Sequence, residues 1–247
     1  MSTTTKSSPA SNKKIAIVAA NPTISKQTGW PIGFWWAELT HPYWEFLEKG
    51  YEVTIFSPEG GAISADGYSD PEDASGYSAH DILSLGFKKS PRHMELIAKT
   101  HPLKDLKLQD FDAIFLIGGQ SPMFTFLENQ ELQKIFASFY ESGKIAAAVC
   151  HGTCVLLKTK LSNGELLVKG KTWTGFADAE EAYAEEFVKQ KIQPYWIESE
   201  AKKIQGTNFI TGGMFKPFAY RDGNLITGQQ QYSGAATAKL VIEALGV

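Results

Sequence analysis

Cysteine is scarce in this chain of 247 residues: Cys150 and Cys154 are the only two. Two cysteines make no disulfide framework. Their spacing of four also puts them a turn apart on what reads as one helix, a poor geometry for a bridge. That usage suits a reducing compartment, and the cytoplasm is the expected location. Long apolar runs are absent as well. No stretch approaches the roughly 18 residues that span a bilayer, so no membrane partner is expected. Basic charge is in no excess: 24 Lys and Arg stand against 27 Asp and Glu, a net charge of −3, with no basic run. Nucleic acid is therefore not an expected partner. The leading segment Met1–Asn12 has neither an apolar middle nor an arginine. It reads as a polar tail over residues 1–13, not as a secretory signal or transit peptide.

What is present describes one globular unit over residues 14–247 with a sizeable core, since hydrophobic residues make up 43% and charged residues 21%. Apolar, β-branched runs at 14–20, 51–57, 113–117 and 145–149 read as buried strands. Helical patterns fall at 34–49, 131–141, 178–189 and 235–245, with Pro42 expected to kink or split the first. Lys171–Phe176 reads as a later strand, and Asp222-Gly223 marks a hairpin. Residues 58–108 carry no clean period beyond a short helix at 94–100. An irregular insertion of this length suggests a cap, either a lid or a pocket wall. Strands alternating with helices predict an α/β fold with a doubly wound, mostly parallel central sheet and helices on both faces. Ligands of such sheets bind beyond the C-terminal strand ends. Ala20-Asn21, Gly118-Gly119-Gln120 and Cys150-His151 all arrive there.

The run Lys144-Ile-Ala-Ala-Ala-Val-Cys-His-Gly-Thr-Cys-Val-Leu-Leu157 has the form of a nucleophile elbow, a strand turning sharply into a helix. A thiol held at a helix N-terminus meets free N–H groups and the positive end of the helix dipole, which favour the thiolate. The alternative for Cys150 is a small buried hydrophobe closing a core strand. Cys154 reads as buried packing. His80, His93 and His101 match no compact metal motif, so no metal is assigned.

Ala148-Val-Cys-His-Gly152, Ile117-Gly-Gly119, Thr28-Gly29…Glu38…Pro42 and Lys171-Thr-Trp-Thr-Gly-Phe-Ala-Asp-Ala-Glu-Glu181 together resemble the ThiJ/PfpI superfamily, over about residues 14–245. The resemblance is strongest to the branch of heat-shock chaperones and glutathione-independent glyoxalases (glyoxalase III). It implies a flavodoxin-like sandwich, a homodimer, no cofactor and a small-molecule substrate. By position it makes Cys150 the nucleophile, His151 its proton-transfer partner and Glu38 the acid beside the sulfur. A carboxylate and a thiolate this close raise each other's proton affinity, so Glu38 is expected to be protonated in part or in full. The acid that orients His151 is either Glu181, as in glyoxalase-like relatives, or Asp178. Asp178 also reads as a helix N-cap, with Glu181 completing a capping pattern.

Gly118 and Gly119, with the His151 N–H, are candidates to hold a developing oxyanion. Two departures bear on the substrate. Gly119-Gln120-Ser121 stands where relatives often carry Gly-His-Gly, which places an amide at the pocket. Trp30, Trp35 and Trp36 crowd the approach to Glu38, with Trp35 and Trp36 as candidate substrate contacts. The expected activity is conversion of methylglyoxal to lactate, alongside a possible stress-chaperone role. The alternatives are an amidase, a peptidase or an isocyanide-hydratase-like enzyme on the same elbow, or a non-enzymatic chaperone or redox sensor.

Overall fold

The computed structural model describes residues 12–246, so most of the polar tail read at 1–13 lies outside the described residues. Strand β1 (Lys14–Val18) leads through a small ribbon, β2 (Thr23–Ile24) and β3 (Pro31–Ile32), to helix α1 (Trp36–Glu48) and β4 (Glu52–Ser57). Helices α2 (Ile82–Lys89) and α3 (Pro91–Ala98) precede β5 (His101–Pro102) and β6 (Ala113–Leu116). The short α4 (Pro122–Thr125), α5 (Gln130–Glu141) and β7 (Ile145–Val149) follow, and β7 runs directly into a 3₁₀ helix, Cys150–Leu157. The remainder comprises β8 (Thr172–Trp173), α6 (Asp178–Val188), α7 (Ile197–Ala201), β9 (Asn208–Phe209), β10 (Ala219–Asp222), β11 (Leu225–Gly228) and α8 (Gly234–Ala244).

Seven strands form one sheet in the order β10-β11-β7-β6-β1-β4-β5, parallel throughout except for the β10–β11 hairpin. This is the mostly parallel α/β architecture expected from the alternating runs. Every residue of β6 and β7 is buried, as a parallel strand covered on both faces requires. Helix α1 packs against α8, while α5 lies on β6 and β7. Among the described residues, no helix is long and apolar enough to cross a membrane.

Three elements differ from expectation. Pro42 does not split α1, although it leaves the Glu38 carbonyl without its usual donor four residues on. Its ring instead packs at the start of α8, where a Cβ on Gly234 would come within 3.2 Å of it. Residues 58–108 are more ordered than their pattern suggests. Asp81 caps α2 by accepting from the Ser84 N–H (3.1 Å), and β5 extends the sheet edge by pairing with β4. Lys171–Phe176 contributes only Thr172–Trp173 as strand, in a separate small sheet with β9.

The sharpest local constraint lies where β7 ends. Cys150 has φ 56°, the left-handed region that a residue with a Cβ enters at a cost of about 1–2 kcal/mol. That turn throws the chain back across the end of β6. A Cβ on Gly152 would sit 2.8 Å from the Ile117 carbonyl oxygen and 2.9 Å from that of Leu116. Both obstacles are backbone, so Gly152→Ala should destabilise the protein by roughly 1–3 kcal/mol through forced backbone shifts. Equilibrium urea unfolding of the variant against wild type measures this.

Candidate active site

Glu38 comes from α1, Cys150 and His151 open the 3₁₀ helix that follows β7, and the three converge over Gly118 just beyond the end of β6. A Cβ placed on Gly118 would lie 2.8 Å from Glu38 Oε2, 3.0 Å from Cys150 Cβ and 2.7 Å from the His151 backbone nitrogen. Only glycine leaves room for that meeting. The His151 ring places Nδ1 3.8 Å from Cys150 Sγ, and its Nε2 bonds Glu181 Oε1 at 2.9 Å. Phe176 stacks on the imidazole with ring centroids 4.3 Å apart, which fixes the ring plane.

Of the two acids open as partners for His151, the structure brings Glu181 to the ring. Asp178 is engaged elsewhere: its Oδ2 accepts from Ser199 Oγ at 2.7 Å and its Oδ1 from the Ser199 N–H at 3.1 Å. Nor is Asp178 the N-cap of α6. The helix begins at Asp178 with Ala177 as cap, and it is Glu180, not Glu181, that reaches back to the Ala177 N–H (3.1 Å). This frees Glu181 for the imidazole.

The glycine pair divides its work. The Gly118 N–H is taken by Glu38 Oε2 at 2.7 Å, so it is not available to an oxyanion. The Gly119 N–H has no acceptor among the described residues, and the His151 N–H belongs to the first turn, where helices leave donors unpaired. These two are the candidate oxyanion donors, the His151 N–H also lying against the Cys150 sulfur. Trp35 lines the cleft, edge-on to Tyr77 at 6.0 Å between centroids. Trp36 does not. It is 3% exposed and packs against Phe34 and Phe87 in the core, because neighbouring side chains on a helix point in different directions. Gln120 lines the cleft with Cys150 and His151.

Several residues escaped the sequence reading. Asp66 is buried, accepts from the Gly33 N–H at 2.8 Å and the Gln120 N–H at 2.7 Å, and so ties the segment before α1 to the turn after β6. Nothing local in Ala65-Asp66-Gly67 marks it. The cleft holds about 90 Å³, and Tyr68, Tyr77, Phe187, Gln193 and Gln231 complete its walls. Tyr68 and Tyr77 come from the 58–108 segment. Only aromatic density between Gly and Ser residues there could have signalled them.

Burial dominates the electrostatics. It pushes Glu38 up to about 8, although the Cys150 thiol, the Gly118 N–H and His151 pull it partly back. Thus burial, and not thiolate repulsion, keeps Glu38 protonated. Burial likewise carries Asp66 to about 7 and raises Glu180 and Glu181. Burial would lower His151, but Glu181, Glu38 and Asp66 outweigh it and hold its pKa above the ordinary value. The thiolate expected for Cys150 is not favoured at rest. Burial first, then the Glu38 carboxyl, pushes its thiol well up, and the His151 N–H offsets only part of this. Cys154 is fully buried, donates to the Pro122 carbonyl at 3.4 Å and is pushed up to about 12 by burial.

Raised carboxyl groups make stability depend on pH with a definite sign. The folded state holds the Glu38 and Asp66 protons up to about 8 and 7, whereas the unfolded chain releases them near 4.5 and 3.8. Their contribution is complete in acid and is lost as pH rises between those limits, at up to about 1.4 kcal/mol per pH unit per group. The melting temperature should therefore fall from pH 5 to pH 8, and Glu38→Gln should make the fall shallower. Calorimetry of both proteins across that range reads the two slopes.

The likeness to known proteins runs through these same elements. Glyoxalase 3 of Candida albicans is 29% identical over 235 residues, covering 93% of this chain and 96% of that protein. The glutathione-independent glyoxalase HSP31 of Saccharomyces cerevisiae is 29% identical over 221 residues, covering 88% and 91%. Among solved structures, glyoxalase III from Candida albicans superposes with a TM-score of 0.75 at 26% identity, covering 94% of this chain and 97% of that one. The rapid encystment protein of Francisella tularensis reaches 0.84 at 23% identity, covering 95% and 100%, and shares the fold. The DJ-1/PfpI family model matches residues 33–244, from the glycine that Asp66 holds to the last helix, and the chain belongs to that family.

Proposed function

We propose that the protein is a glutathione-independent glyoxalase that converts methylglyoxal to lactate with Cys150 as nucleophile. The observation that carries this reading is the convergence of a left-handed Cys150, the buried Glu38 carboxyl and the His151–Glu181 pair at one aromatic-walled cleft. The names of the relatives support it over the amidase, peptidase and isocyanide-hydratase alternatives.

Cys150 Sγ adds to the aldehyde carbon. His151 Nδ1 takes the thiol proton, and Glu181 stabilises the resulting imidazolium. The oxygen of the hemithioacetal lies within reach of the Gly119 and His151 N–H groups. Glu38 first gives its proton to the alkoxide, then as carboxylate removes the hydrogen from the former aldehyde carbon. His151 passes the thiol proton to the ketone oxygen of the resulting enediolate. Glu38 delivers the hydrogen to the neighbouring carbon and takes back the hydroxyl proton as the thioester carbonyl forms. A group poised at about 8 suits proton transfer in both directions near neutral pH. The aldehyde carbon is oxidised and the ketone carbon reduced, so electrons balance within the substrate and no redox partner is required. The product is a lactyl thioester on Cys150. Water cleaves it to lactate and restores the thiol.

Cys150→Ala should abolish lactate formation from methylglyoxal in glutathione-free buffer. Glu181→Gln should cost about 10²–10⁴-fold in kcat, the usual range for a general acid–base group, because its neutral amide cannot stabilise imidazolium. Asp178→Asn, remote from the ring, should cost far less. Lactate quantified enzymatically across these variants is the measurement, and lactate at the wild-type rate from Cys150→Ala would overturn the reading.

A further inference from the structure

Three glutamines, Gln120, Gln193 and Gln231, share the cleft with Cys150 and His151. The Gln231 amide donates to the Tyr77 hydroxyl at 3.3 Å. The other two are unspent. Gln193 is 1% exposed, and its Oε1 is buried without a hydrogen-bond partner among the described residues; Gln120 Oε1 is in the same state. An amide oxygen left so in a folded protein loses its hydration with nothing in return, a loss that a ligand donor would recover. Burying two such groups beside a nucleophile makes sense when the ligand carries hydroxyl groups.

The rest of the cleft sets the ligand's charge and shape. Among the described residues, no lysine or arginine lines it. Of the acids, Glu181 alone lines it and is paired with His151, so a carboxylate or phosphate on the ligand would find no free cation there. Trp30, Trp35, Tyr68, Tyr77 and Phe187 form the walls. Flat aromatic faces suit the C–H edges of a polyol as well as they suit hydrocarbon. Methylglyoxal ends in a methyl group and can donate nothing to either amide.

We infer that the cleft selects 2-oxoaldehydes hydroxylated beyond the ketone carbon, with Gln193 and Gln120 as the specificity-determining residues. This rests on the glyoxalase reading and names its substrate class. The chemistry is unchanged: hydroxypyruvaldehyde plus water gives glycerate, as methylglyoxal plus water gives lactate. A site built to bond a hydroxyl discriminates strongly against the analogue that lacks it, because its own polar groups then stay unpaired.

The test compares kcat/KM for hydroxypyruvaldehyde and methylglyoxal, which differ by one oxygen, with the acid product quantified by NMR. Wild type should prefer the hydroxylated substrate by about tenfold or more. Gln193→Leu and Gln120→Leu, close in volume and free of the amide, should each bring that ratio toward one. A wild-type ratio at or below one, or a ratio that neither substitution moves, overturns the inference while leaving the glyoxalase reading intact. Acid from neither substrate overturns both.

Discussion

The architecture of the site depends on one backbone constraint, the left-handed turn at Cys150. With φ at 56° the chain reverses at the end of β7, and the thiol is thrust out between α1 and the His151 ring. A residue in the β region there would continue the strand and leave the sulfur on a sheet face. The turn survives because neighbours over-determine it, which is the usual condition for strain at a functional site. Thr153 Oγ1 donates to the Cys150 carbonyl at 2.6 Å, Gly152 fits against the β6 carbonyls, and Gly118 gives the converging groups their clearance. Each device is local, and each is useless without the others.

That geometry brings an electrostatic difficulty. Four carboxyl groups, Glu38, Asp66, Glu180 and Glu181, are buried around one imidazole. Water is not there to solvate them, so the protein supplies backbone donors: Gly118 to Glu38, Gly33 and Gln120 to Asp66, and Phe215 and Ala177 to Glu180. Asp66 shows why a carboxylate is needed there. It receives one N–H on each oxygen, whereas an asparagine would turn its NH₂ toward one of those donors. The buried carboxyl group therefore also serves as a clamp that joins the segment before α1 to the turn after β6.

Much of this was legible in the chain, for identifiable reasons. The buried strands read correctly because parallel strands covered on both faces show as unbroken apolar runs, as in Ile145–Val149. The elbow read from its motif, while the meeting of Glu38 with Cys150 came only through resemblance, since more than a hundred residues separate them. Helix α2 was missed because Gly86 interrupts its pattern and its cap, Asp81, sits in a loop-like context. Trp36 was assigned to the cleft because spacing alone cannot say which of two adjacent tryptophans turns inward. Asp66 and Gln193 were invisible in principle: each reaches the site through tertiary contact, and no local pattern encodes that.

The same limit explains the protonation state of Cys150. A helix start favours thiolate when donors and dipole act on a partly solvated sulfur. Here the helix is 3₁₀, its hydrogen bonds are less well aligned, and Cys150 is 3% exposed beside an acid. Burial prevails, and the resting thiol keeps its proton. On the proposed mechanism this is an advantage. A neutral buried thiol resists oxidation, since the thiolate is the form that oxidants attack. Its proton leaves only as a carbonyl arrives to accept the sulfur's electron pair, with His151 adjacent to take it. Nucleophilicity then appears in the encounter, where it is used, rather than being held in a standing charge.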